Sequence, residues 1–164
     1  MTMRNFSSRL SSVIPSLMRT VIFIAIATLT ACSPDPDYHT ADGKSGRFAD
    51  HQGKWLMINY WAIWCKPCRE EIPELNKFQQ QYADQVTVMG VDFDQSPADK
   101  LQSLISELDI QFSVLSQDPS VFFGWNRPQG LPMTYVINPQ GKLAATLEGP
   151  QTIESLSKAI ETAP

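Results

Sequence analysis

The sequence predicts a single α/β domain built on a mixed central sheet. Three observations point there. From Trp55 onward, apolar runs of strand length alternate with amphipathic stretches at helical spacing. The order is strand, helix, strand, helix, strand, short helix, strand, hairpin strand, helix, which interleaves parallel crossovers with a terminal antiparallel pair. At 164 residues the chain has the size of one domain, with enough aliphatic and aromatic residues for one good core. It carries no repeat and no glycine-rich phosphate loop.

The elements follow in order. Residues 1–31 stand apart from the domain: Arg4, Arg9 and Arg19 precede an apolar run, Val21 to Leu29, too short for a membrane span and suited to a signal-peptide core. Residues 32–47 contain Pro34, Pro36, Gly43 and Gly46 without apolar periodicity, and read as a flexible tether. His39 falls in that tether with no role, and a β-hairpin before Trp55 is poorly signalled. The domain is expected over 48–164, with a lead-in from Phe48 and a turn at Gly53. Trp55 to Tyr60 is apolar enough for a strand covered on both faces. Asn59 is its odd member, and a buried amide satisfied by backbone hydrogen bonds is the reading favoured for it.

Ile72, Leu75, Phe78 and Tyr82 lie three and four apart, giving a half-buried helix that Pro73 should bend. Val86 to Phe93 is the next strand, with Gly90 marking a close approach. Asp92 and Asp94 at its end have no metal-ligand partners and read as structural. Asp94 to Pro97 is a turn, with Ser96 as candidate cap of a helix to Leu108. Its buried stripe is Leu101, Leu104, Ile105 and Leu108. Phe112 to Leu115 is a short strand. Asp118-Pro119 opens a helical turn that Gly124 ends. Trp125 to Gly130 is a loop, and Thr134 to Ile137 a strand. Asn138 to Gly141 turns into an antiparallel strand, Lys142 to Leu147. Thr152 to Glu161 is the last helix.

The chemistry gathers at Cys65-Lys66-Pro67-Cys68, between the strand from Trp55 and the helix that follows. Pro67 suits a first helical turn, where a missing N–H costs nothing. Cys65 then sits at a helix N-terminus, where unpaired backbone N–H groups and the helix dipole favour a thiolate. Lys66 adds a solvent-exposed and therefore weak positive charge. Cys68, one turn in, is shielded and placed to resolve a mixed disulfide. C-x-x-C is also half of many zinc sites, but only Cys32, His39 and His51 are left to complete one. An inert disulfide is the other alternative, and so short a loop would stabilise little.

Trp61-Ala62-Ile63-Trp64-Cys65-Lys66-Pro67-Cys68 followed by Arg69-Glu70-Glu71-Ile72-Pro73 resembles the thioredoxin superfamily. More narrowly it resembles the TlpA/ResA/DsbE-like extracytoplasmic thiol-disulfide oxidoreductases. The resemblance runs from about Phe48 to the C-terminus. It implies a thioredoxin-like fold, a mixed sheet flanked by helices, with a TlpA-like insertion around Ser96 to Leu115. It implies that Cys65 is the nucleophile and Cys68 the resolving thiol. Asn59 stands where cytoplasmic thioredoxins have a buried Asp that assists proton transfer. Glu71 matches a glutamate that tunes the thiol pKa values or relays protons, whereas Glu70 reads as an ordinary solvated residue. Leu131-Pro132-Met133-Thr134 matches the cis-proline segment, which makes Pro132 the proline opposite the dithiol. Leu131, Trp64, Lys66 and Pro67 then form the surface for a polypeptide substrate, with Trp61 filling the core. No cofactor or metal is implied.

Leu29-Thr30-Ala31-Cys32 resembles a bacterial lipobox, in which Cys32 is acylated and becomes the first mature residue. The lipid bilayer is then a partner and the location is the periplasmic face of a membrane, the outer one favoured by Ser33. Removing residues 1–31 leaves 10 basic and 17 acidic residues, formally −7, with no basic block to track a phosphate backbone; nucleic acid is not an expected partner. The expected partners are a protein disulfide and an upstream membrane thiol reductant. Competing readings are a thioredoxin-fold docking or chaperone-like module and a dithiol handling copper. The likeness to peroxidases holds at fold level, since no lone peroxidatic cysteine sits in a matching motif.

Overall fold

The computed structural model describes residues 35–163. The signal segment and Cys32 lie outside them. In chain order the elements are β1 (Tyr38–His39), β2 (Ser45–Gly46), a 3-10 turn (Phe48–His51), β3 (Trp55–Trp61), α1 (Lys66–Gln81) and β4 (Val86–Asp92). There follow α2 (Ala98–Glu107), β5 (Ser113–Leu115), α3 (Ser120–Phe123), β6 (Met133–Ile137), β7 (Leu143–Glu148) and α4 (Ile153–Thr162).

The main sheet has the order β5-β4-β3-β6-β7. β3 and β4 pair in parallel, as do β4 and β5, whereas β6 runs antiparallel to both β3 and β7. This is the thioredoxin-like α/β arrangement, with α2 and β5 as the insertion. β3 is central, and its pleat separates two apolar layers. Met57 and Trp61 pack with Ile72, Leu75, Phe78, Leu101, Leu104 and Leu156 from the helices. Leu56, Ile58 and Tyr60 pack on the other side with Phe48, Met89, Val91 and Tyr135. α1 runs through Pro73 as one helix and buries Cys68, Glu71, Ile72, Leu75 and Phe78.

Three expectations need correction. The tether over 32–47 is ordered from Asp37: Asp37 and Thr40 donate backbone hydrogen bonds to Gly46 and Lys44, closing the β1–β2 hairpin around Gly43 at φ +82°. Only glycine adopts that φ without strain. The hairpin covers the edge of the main sheet, with the Ala41 N–H on the Val114 carbonyl at 2.8 Å and the Ser116 N–H on the His39 carbonyl at 2.9 Å. β5 would otherwise expose unpaired backbone groups. His39 therefore lies in a strand. Ser96 does not cap α2: its hydroxyl has no partner, and its N–H is donated back to Asp92 at 2.8 Å. Asn59 donates its side-chain amide to two side chains and not to the backbone, as described below.

Candidate active site

β3 ends at Trp61, and the chain turns at once, the Cys65 N–H donating to the Ala62 carbonyl at 3.1 Å. Cys65 is the N-cap of α1, and its Sγ accepts the Cys68 N–H at 3.2 Å. Pro67 occupies the first turn, where no intrahelical donor is lost. Cys65 and Cys68 are joined by a disulfide with the Cα atoms 5.3 Å apart. Cys65 retains 4% exposure and Cys68 none. Lys66 is exposed and lies 3.8 Å from Glu70, an (i, i+4) pair that adds little in water.

Glu71 follows Cys68 by one turn on the same buried face and is 1% exposed. One carboxylate oxygen accepts the Asn59 side-chain amide at 2.7 Å, and the other accepts the Gln151 backbone N–H at 2.9 Å. Asn59 donates also to the Thr134 hydroxyl at 3.0 Å, while its own carbonyl oxygen has no partner. β3 and the loop before α4 thus meet at one carboxyl on α1, and β6 joins them through Asn59. Burial pushes Glu71 up to about 7, against the pull of the Gln151 and Asn59 donors. A buried acid near neutrality can hold or release a proton at working pH.

The Leu131–Pro132 bond is cis. Pro132 stands beside the end of β3, because Met133 pairs with Tyr60 in the antiparallel register. Its carbonyl accepts the Gly149 N–H at 3.0 Å. Pro132 and Leu131 edge an open groove of about 640 Å³, bounded also by Trp125, Arg127, Met133 and Glu148. Trp61 is fully buried, whereas Trp64 is 63% exposed. The Trp64 indole N–H donates to Asp94 at 2.9 Å.

Two residues gained importance in three dimensions. Asp92 is buried and accepts the Asp94 and Ser96 N–H groups at 3.2 and 2.8 Å, so it builds the turn that presents Asp94 to Trp64. An aspartate two residues before another at a strand end is a readable turn signal. Arg127, in the loop before Pro132, carries no motif and could not be found from the sequence. Among the described residues no group of three or more His, Cys, Asp or Glu is placed to hold a metal ion.

The comparisons with known proteins agree with this geometry. The AhpC/TSA family model matches residues 29–146. The chain is 32% identical over 124 residues to the thiol:disulfide interchange protein HelX of Rhodobacter capsulatus, covering 73% of this chain and 68% of HelX. It is 28% identical over 131 residues to the thioredoxin-like protein YneN of Bacillus subtilis, covering 79% of this chain and 76% of YneN. A crystal structure of a DsbF homologue from Corynebacterium diphtheriae superposes with a TM-score of 0.66 at 23% identity, over 76% of this chain and 82% of the other.

Proposed function

The chain belongs to the AhpC/TSA family and to the TlpA/ResA/DsbE-like thiol-disulfide oxidoreductases, and from that premise we propose that it reduces protein disulfides outside the cytoplasm. It is a thiol-disulfide oxidoreductase working through Cys65 and Cys68. The observation that carries the assignment of roles is the position of the two cysteines: Cys65 is the N-cap of α1 and retains 4% exposure, whereas Cys68, one turn in, retains none.

In the reducing direction the Cys65 thiolate attacks one sulfur of the substrate disulfide, and the other sulfur leaves as a thiolate. The Cys68 thiolate then attacks Cys65 Sγ, the substrate's second sulfur leaves, and the Cys65–Cys68 disulfide remains. Two electrons pass to the substrate. An upstream membrane dithiol must return them, and the same steps reversed describe that recharging. The helix N-terminus favours the Cys65 thiolate. In this reading Glu71, one turn past Cys68 on the same buried helix face, takes up and returns the Cys68 proton, and the Asn59 amide holds its carboxylate. Trp64 and Leu131 offer apolar surface to the substrate chain, and Pro132 fixes the segment that presents Leu131. Lys66 and Pro67 complete that face.

Acylation at Cys32 would hold the domain on the periplasmic side of a membrane, the outer membrane favoured by Ser33. The segment before Asp37 would serve as the link. HelX is by its name a disulfide interchange protein, which suits the same class of substrate here.

The test is trapping. With the purified protein and insulin as substrate, Cys65→Ser should lower turnover at least a thousandfold, and Cys68→Ser should accumulate a mixed disulfide through Cys65. Full activity of Cys65→Ser, or trapping through the other cysteine, would reverse the assignment.

A further inference from the structure

We propose that Arg127 is a positioning residue for substrate recognition, tying three loops into one rim beside Cys65. The proposal deepens the reading of Trp64 and Leu131 as substrate surface and rests on it.

Arg127 lies in the loop that leads to Pro132. Its Nε is 2.6 Å from Asp118 Oδ2, and that carboxylate is 7% exposed. Its Nη2 donates to the Phe93 carbonyl, and its guanidinium lies 4.6 Å above the Phe93 ring. Phe93 belongs to the turn after β4, where its N–H donates to the Trp61 carbonyl at 2.8 Å. Its neighbour Asp94 accepts the Trp64 indole. One guanidinium therefore links the loop of Pro132 to the turn that holds Trp64.

The anchor is itself built in. Asp118 accepts the Tyr60 hydroxyl and the Ser120 N–H, both at 2.8 Å. Burial would push its carboxyl up, but the Ser120 and Tyr60 donors and the Arg127 charge outweigh this and hold it below the ordinary range. Tyr60 also accepts the Trp125 indole N–H at 3.3 Å, and Trp125 stacks on Tyr135 at 4.3 Å. Both ends of the Arg127 loop are thus fixed to the sheet. An exposed arginine paired once would be worth little. This one sets its charge against Asp118 while Nη2 donates to the Phe93 carbonyl and the plane covers the Phe93 ring, a combination that needs the flat, extended guanidinium and not a point ammonium. Arg127 touches neither sulfur, so its effect belongs in binding: a rim held in the bound geometry spares the substrate the ordering cost.

The experiment compares wild type with Arg127→Gln, Arg127→Lys and Asp94→Ala in insulin reduction driven by dithiothreitol. Alongside, 19F NMR is recorded on 5-fluorotryptophan protein, with the Trp64 signal assigned by Trp64→Phe. Arg127→Gln should raise KM for insulin at least fivefold with kcat within twofold, and Arg127→Lys should behave like it. The Trp64 resonance should shift and narrow in both. Asp94→Ala, on an exposed turn, releases the Trp64 end of the same tie and should raise KM in the same direction; an unchanged KM in this variant overturns the proposal even if the Arg127 variants do not fold. An unmoved Trp64 signal, an unchanged KM, or full rescue by lysine overturns the proposal. If wild-type protein fails to reduce insulin, the functional reading falls, and the 19F result, which needs no turnover, still judges the tie.

Discussion

At the scale of single residues, the burial of Glu71 carries a prediction about pH. Its ordinary value is 4.5 and burial in the folded protein pushes it to about 7. The folded state therefore holds a proton that the unfolded chain has released between those values, so this contribution to stability is complete below about 4.5 and is lost as pH rises through 7. The loss amounts to about 3 kcal/mol. Glu71→Gln should flatten that part of the stability–pH curve and remove an inflection near neutrality from kcat/KM; parallel curves for variant and wild type would contradict it. The cysteine pair and its helix-terminal setting were legible in the sequence, because spacing and Pro67 fix them locally. The surroundings of Asn59 were not. Its partners, Glu71 and Thr134, are 12 and 75 residues away, and no local pattern encodes such a meeting. Arg127 escaped for the same reason: Phe93 and Asp118 come to it only through the fold.

At the scale of elements, the central strand pair dictates its own packing. A Cβ at Gly90 would lie 2.8 Å from Trp61 Nε1 and 3.0 Å from Phe112, too close for either to yield without displacing the core. Gly90→Ala should cost about 1–3 kcal/mol, read as a lowered Tm, since overpacking displaces well-seated side chains. A Tm equal to wild type would mean that Trp61 has room to move. The strands and helices from Trp55 on were readable from period and punctuation, because each buries a long face. The β1–β2 hairpin was not. Two-residue strands have no period, and Pro34, Pro36 and the glycines resemble a linker; what orders the segment is the open edge of β5, a tertiary cause.

At the scale of the whole molecule, the topology gathers the site at one end of the main sheet. The C-terminal ends of β3 and β4 and the start of β6 converge, so Cys65, the Asp94 turn and Pro132 share one end of the sheet, where α/β folds present their ligand sites. The acidic balance after residue 31 leaves no basic tract for nucleic acid. If Cys32 carries lipid, Cys32→Ala should move the protein from the membrane fraction to the soluble one without changing insulin reduction by the purified domain; unchanged fractionation would point to an uncleaved anchor. The fold class was legible at this scale because the order of elements admits few topologies. The remaining property of the whole molecule is the direction of electron flow. The most direct measurement is the state of Cys65 and Cys68 in growing cells, acid-quenched, alkylated with a mass tag and read as a mobility shift beside Cys65→Ser. A mostly reduced pair is the result expected of a protein kept charged to reduce disulfides. A mostly oxidised pair, unaffected by loss of candidate donors, would contradict that account and point to an oxidase or a structural bridge.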